Sequence, residues 1–406
     1  MRIPREISFI ALLLASLLVV SCSPTRSQDE PVEATAGLLD TIERNLELAT
    51  AQYKLLRDSL PADQFPKTYH PDTKKYEFSD SGWWVSGFYP GTLLMLYQET
   101  GDEALLAEAE RIMQVLEKEK NNTRTHDLGF MMYDSFGERY EMDPDEETRQ
   151  ILLKSAESLA SRYEPTVGAI KSWDSREGDY LVIIDNMMNL ELLYWASRET
   201  GDPKYADIAT THANTTMANH FRPDNSTYHV LNYNKDTGAV QEKKTAQGYA
   251  DDSAWARGQA WGLYGYTATY RDTKDEKYLE QARKIADFIL AHPNLPADKV
   301  PYWDFDAPDI PNALRDASAG AIMASALLEL SEYVDDAEAD RYVSTAETIL
   351  RTLSSDEYLA KLGTNGGFLL KHSVGHIPQG TEVDVPLTYA DFYFVEAMQR
   401  YKEWMQ

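Results

Sequence analysis

The sequence predicts an all-α fold: a closed toroid of twelve helices in six hairpin pairs, with short β-hairpins in the loops at one end. Three observations carry that expectation. A helix–turn–helix unit recurs, marked by Leu96-Tyr-Gln-Glu-Thr-Gly-Asp102 and again by Ala196-Ser-Arg-Glu-Thr-Gly-Asp202. Helices before such a turn are apolar on several faces, whereas those after it are apolar on one face only, as an inner and an outer ring require. The units also recur at uneven intervals, which suits a closed ring with long loops better than an open solenoid of uniform repeats.

Taken in order, residues 1–21 read as a secretory signal. Arg2 and Arg5 precede an apolar run over residues 9–20, too short to span a bilayer. Leu18-Val-Val-Ser-Cys22 resembles a bacterial lipobox, whose cysteine is lipidated and starts the mature chain. Cys22 is the single cysteine of the sequence, which excludes an intrachain disulfide and a cysteine-based zinc site. Residues 22–34 read as the lipidated cysteine and a polar tether. No second tether interrupts residues 35–406, so these are expected to form one domain. The protein is thus expected to be exported, periplasmic and held at a membrane only through Cys22, as a monomer or weak oligomer.

Hydrophobic periodicity places helices over 35–59, 84–99, 103–120, 127–137, 144–163, 185–200, 203–220, 252–271, 275–292, 315–333, 336–354 and 387–404, the fourth with the weakest pattern. In the Thr-Gly-Asp turns, glycine suits a left-handed C-cap and aspartate caps the next helix. Arg271-Asp-Thr-Lys-Asp275 and Glu332-Tyr-Val-Asp-Asp336 are looser echoes. Between the helices, 164–184 reads as extended, with a short strand at 181–184. Residues 225–245 read as a hairpin turning at Asn234-Lys-Asp-Thr-Gly238, and 363–386 as a Gly-rich loop with two histidines.

The net charge of −27 argues against a nucleic-acid partner, because phosphate binding needs a basic face. It also repels anionic sugars at long range, so an acidic substrate needs a pocket that is locally neutral or positive. Against that background the stretch 247–261, QGYADDSAWARGQAW, is the densest signal. Indoles mixed with fixed hydrogen-bonding groups suit a sugar, the rings stacking on its apolar faces and the polar groups reading its hydroxyls and carboxylate. Arg257 and Trp261 are four apart and share a helix face. Arg257 either pairs with a substrate carboxylate or forms an internal salt bridge to Asp251 or Asp252. Of Trp83 and Trp84, one is expected to form an aromatic wall and the other to pack in the core.

Asp127 and Asp185 each stand where an extended segment enters a helix, among apolar neighbours. Both suit N-capping. They equally suit a pair of carboxylates at the mouth of a helical barrel, where desolvation and like charge drive two pKa values apart and keep one acid protonated near neutrality. His126 adjoins Asp127, and His229 lies on the hairpin leading into Gln247. His372 and His376 have metal-ligand spacing but fall in the Gly-rich loop, so no metal is expected.

At these residues the chain resembles glycoside hydrolase family 88, the unsaturated glucuronyl hydrolases. The likeness runs through Trp84-Val-Ser-Gly-Phe88 with Gly91, His126-Asp127 with Gly129-Phe130, Asp185-Asn-Met-Met-Asn189, the motif 247–261, and the late Gly375-His376, Asp384-Val-Pro-Leu387 and Tyr389-Ala-Asp391. The resemblance implies an (α/α)6 barrel, no cofactor, and removal of a 4,5-unsaturated uronic acid from lyase-generated oligosaccharides, with glycosaminoglycans as the expected source. It implies Asp185 as general acid and base and Asp127 as the second essential aspartate. Trp84, His126, His229, Gln247, Arg257, Trp261 and His376 are implied to bind the sugar. The related unsaturated rhamnogalacturonyl hydrolases, and a surface lipoprotein that binds glycans without cleaving them, are the alternatives.

Overall fold

The computed structural model describes residues 32–405. Cys22, the signal and most of the tether lie outside the described residues. Among the described residues are twelve α-helices, eleven of them expected and α4 not: α1 (Val32–Ser59), α2 (Phe88–Thr100), α3 (Glu103–Leu116), α4 (Glu138–Met142), α5 (Glu146–Ala160), α6 (Leu190–Thr200), α7 (Pro203–Asn219), α8 (Ala256–Thr273), α9 (Glu276–Ala291), α10 (Ala317–Ser331), α11 (Asp336–Leu353) and α12 (Thr388–Trp404). The first begins three residues earlier than expected. The weak fourth segment is a π-helical stretch, Gly129–Gly137, that runs into α4.

The helices form two concentric rings. In the inner ring α2 packs on the π-helical stretch and α4, that stretch on α6, α6 on α8, α8 on α10, α10 on α12, and α12 back on α2. The toroid is therefore closed. Four outer helices lie against their hairpin partners, α3 on α2, α7 on α6, α9 on α8 and α11 on α10, while α5 lies against the π-helical stretch and α6, and α1 against α2 and α12. The sequence contrast has its expected cause. Every residue of α10 is buried, whereas α9 buries only one stripe, including Tyr278, Ala282, Ile285 and Ile289. The tight turns follow their chemistry as well. Gly101 and Gly201 are left-handed, and Asp102 and Asp202 accept hydrogen bonds from Ala104 N and Lys204 N at 3.1 and 3.0 Å.

Among the described residues, nine short strands lie in the loops between the helices. β1 (Phe65–His70) pairs with β2 (Lys75–Ser79), and β3 (Tyr163–Glu164) with β4 (Ala169–Ile170). β5 (Leu181–Ile183), β6 (Val230–Tyr233) and β7 (Val240–Lys244) make a three-stranded antiparallel sheet, and β8 (Ser373–His376) pairs with β9 (Thr381–Val385). The expected hairpin over 225–245 is thus real and gains β5 as a third strand. The β1–β2 hairpin has no counterpart in the sequence reading, and the loop over 363–386 proves to be strand-paired. Among the described residues no helix is long and apolar enough to cross a membrane.

Candidate active site

Two short helical entries place the aspartates. Asp185 sits in a 3-10 turn, Ile184–Asn189, that leads from β5 into α6, and Asp127 stands just ahead of the π-helical stretch. Their segments are locked together through Asn189, whose Oδ1 accepts from Phe130 N at 3.0 Å. A Cβ on Gly129 would sit 2.5 Å from Asn189 Cα, so only glycine permits that approach. Asn186 donates to Ile170 O at 2.9 Å and ties the Asp185 turn to β4. Neither aspartate caps a helix. The Asp127 carboxylate accepts instead from Thr125 Oγ1 and lies 3.1 Å from His126 Nε2, and Asp185 Oδ2 is buried with no hydrogen-bond partner.

Both carboxyl groups line one cavity of about 520 Å³, in the range of small-ligand clefts. Trp83, Trp84, His126, Phe130, Trp173, Gln247 and Arg257 share its wall. Burial, opposed by Arg257 and aided by the Asp127 charge, pushes the Asp185 carboxyl up to about 7. That carboxyl therefore holds its proton in part at neutral pH. His229 is held in one tautomer. Its Nδ1 accepts from Ala246 N and Gln247 N, at 3.1 and 3.2 Å, so Nε2 carries the hydrogen, 3.7 Å from Asp185 Oδ2. Burial and Arg257 push the His229 pKa well down, and its ring lies over Trp255 at 4.4 Å.

Arg257 is more committed than expected. It is buried and pairs with neither Asp251 nor Asp252. Its Nη1 lies 3.2 Å from Asp316 Oδ2 and also donates to Val374 O, while Nη2 donates to Gly375 O at 2.8 Å. It sits between the faces of Trp255 and Tyr389, at 4.5 and 5.3 Å. With Nη1 and Nη2 already bonded and Nε buried, it offers a substrate a positive field rather than an open fork. Gln247 Nε2 donates to the same Gly375 carbonyl at 3.0 Å, fastening the β8–β9 hairpin beside the cavity. Asp316 is the residue the sequence reading missed. It caps α10 through Ser318 N at 3.0 Å and accepts from Val374 N at 3.3 Å.

The remaining sequence-predicted residues divide. Trp84 lines the cavity but packs on Tyr389, Phe130 and Phe88, with centroids 4.9, 5.5 and 5.8 Å away. Trp83 is the outer ring, 45% exposed. The pair thus splits between core and wall, and both touch the cavity. Trp261 is fully buried between Phe130 and Tyr393, which closes its faces to a sugar; its indole N–H is one of the groups lowering the Asp185 pKa, without a hydrogen bond of ordinary geometry. His376, half-buried at the end of β8, accepts from Gln379 N at 3.3 Å and is not among the residues that line the cavity. Asp251 and Asp252 do not start α8, which begins at Ala256; Asp251 accepts from Thr245 N at 2.9 Å and braces the preceding turn. Among the described residues no group of three or more His, Cys, Asp or Glu is placed to hold a metal ion.

Comparison with known proteins agrees with this fold. The model of Glycosyl Hydrolase Family 88 matches residues 61–404. An unsaturated glucuronyl hydrolase of Formosa agariphila is 42% identical over 400 residues, 98% of each chain. An unsaturated chondroitin disaccharide hydrolase of Streptococcus pneumoniae is 33% identical over 94% of this chain and 96% of its own. A solved structure of an unsaturated glucuronyl hydrolase specific for heparin superposes with a TM-score of 0.87, at 48% identity, over 90% of this chain and 97% of that one.

Proposed function

The chain belongs to glycosyl hydrolase family 88, and from that premise we propose that it is an unsaturated glucuronyl hydrolase acting on lyase-generated glycosaminoglycan oligosaccharides. The (α/α)6 barrel and the glycoside hydrolase class come with the family. Glycosaminoglycan fragments are the favoured substrates because relatives are named for chondroitin disaccharide and for heparin.

The observation that carries the mechanism is Asp185: a buried carboxyl, protonated in part near neutrality, in the same cavity as a second carboxylate. Asp185 delivers its proton to C4 of the unsaturated uronate. Positive charge then develops at C5 and is shared with the ring oxygen. The Asp185 carboxylate takes a proton from water as that water adds at C5, which restores the acid. The hemiketal at C5 opens to a ketone, and C1 releases the rest of the oligosaccharide. Asp127 keeps the Asp185 pKa high and holds the sugar. The His229 Nε2–H, fixed by two backbone donors, steadies the Asp185 carboxylate in the moment it is charged. Incubation with unsaturated glycosaminoglycan disaccharides is expected to bleach their ultraviolet absorbance, with Asp185 titration making kcat fall as pH rises through about 7. Folded protein that leaves every such disaccharide's absorbance intact refutes the reading.

The N-terminal reading is likewise a proposal, supported by sequence alone: export to the periplasm with a lipid anchor at Cys22. Metabolic labelling with a fatty acid, lost in Cys22→Ser, is the expected result.

A further inference from the structure

Two arginines line the cavity, Arg124 and Arg257. Arg257 is buried and bound to Asp316 and two carbonyls, whereas Arg124 is exposed and so marks the outer end of the same cavity. Among the described residues its guanidinium has neither an acidic partner nor a hydrogen bond. Its backbone is nonetheless held. Arg124 N donates to Asn122 Oδ1 at 3.0 Å, and the next residues run antiparallel to the Trp173 segment, with Thr125 bridging to Trp173 and His126 N donating to Ser172 O at 3.0 Å.

Besides Asp185, two acids share the cavity lining with Arg124: Asp127, whose carboxylate accepts from Thr125 Oγ1, and Asp174, which is offset. Asp174 faces Arg162 Nη2 at 3.4 Å and Lys171 Nζ at 3.2 Å, two cations against one carboxylate. In a chain of net charge −27, Arg124 therefore places an unpaired positive charge in the cavity lining, the local condition that an anionic sugar imposes. The reacting uronate must sit at depth, against Asp185, so the sugar attached to it leaves through the mouth past Arg124.

We infer that Arg124 is a specificity residue that binds a sulfate ester on the second sugar of the substrate. This rests on the reaction proposed above. A planar guanidinium with open N–H groups matches the oxygens of a sulfate two at a time, and charge-assisted bonds of that kind are the strong ones.

The test compares the full-chain enzyme with Arg124→Gln on unsaturated disaccharides of one linkage, with and without a sulfate ester on the second sugar. The ratio of kcat/KM, sulfated over unsulfated, is expected to fall about ten-fold in the variant, chiefly through KM. Arg124→Lys, which keeps the charge but not the fork, is expected to recover part of it. An unchanged ratio, an equal loss on both substrates, or a wild type that rejects sulfated disaccharides overturns the inference and leaves the reaction standing. Failure of the wild type on both substrates overturns the reaction, and the inference with it.

Discussion

Asp185 is protonated in part near neutrality because burial of its carboxyl outweighs the opposing charge of Arg257, which is shared with Asp316. The folded protein therefore disfavours the charged form. For a carboxyl raised from 3.8 to about 7, the favourable contribution is complete below 3.8 and is lost as pH rises through 7. Asp185→Asn cannot ionise, so it escapes that loss. Turnover is expected to vanish while stability at pH 8 rises, by up to a few kcal/mol, since each pKa unit corresponds to about 1.4 kcal/mol. A urea titration of both proteins at pH 8 reads this, and a less stable variant would contradict it. The aspartates and His229 were legible because each stands in a short distinctive string. Asp316 was not, because it reaches Arg257 from 59 positions away and nothing local marks it. The roles of Arg257 and Trp261 were half-legible: spacing put them on one face, but only packing reveals that Asp316 occupies one and aromatic rings enclose the other.

At the level of elements, the two Thr-Gly-Asp turns set where α2 hands over to α3 and α6 to α7. Gly201 is left-handed at φ +71°, and a Cβ there would meet nothing within 4 Å. Gly201→Ala thus isolates the backbone term, and a loss of about 1–2 kcal/mol is expected from the left-handed conformation alone. Equilibrium unfolding measures it; a neutral result would mean the turn relaxes to another conformation. These turns, with the capping aspartates Asp275 and Asp335 at the looser echoes, explain why the helix hairpins could be read from sequence, since apolar periodicity and the cap residues agree at each one. The hairpins are a different matter. β2, Lys75-Tyr-Glu-Phe-Ser79, alternates polar and aromatic residues, but over only five positions and with none buried, and β1 has Phe65 and Pro66 followed by Lys, Thr, Tyr and His, so the pattern is too short to stand out. The helix starts at Trp84 and Ile184 were placed within a residue, but as 3-10 turns that present Trp84 and Asp185 to the cavity, a distinction that periodicity does not carry.

Across the whole molecule, buried ionisable groups of opposite kinds bound the stable pH range. On one side stand buried histidines: His212 is lowered to about 3 and His220 to about 4, and His126 and His229 are also lowered, all chiefly by burial. On the other stand carboxyls raised chiefly by burial. Asp185 and Asp391 rise to about 7, and Glu138 to about 8, with Glu396 and Glu191 adding to the rise. Asp134 also rises, and its Oδ2 is buried with no hydrogen-bond partner. Stability falls with rising pH wherever the folded state holds more protons than the unfolded one, and rises where it holds fewer. Between about 4.5 and 6.5 the unfolded chain charges the histidines while the folded chain keeps the carboxyl protons, so the two effects oppose each other. Above 6.5 only the carboxyl effect remains, and stability declines until Glu138 is titrated near 8. The large negative net charge acts in the same direction, since self-repulsion grows as further protons leave. Below 4.5 the histidines dominate and stability falls again. Thermal unfolding across pH 4–9 is therefore expected to show a mildly acidic plateau with a loss between 6.5 and 8. Glu138→Gln is expected to flatten the alkaline side of that loss, because it removes the group that titrates last. A melting temperature that climbs from pH 6 to 8 would show that these carboxyls are ionised in the folded barrel, and the acid proposed for Asp185 would lose its proton with them.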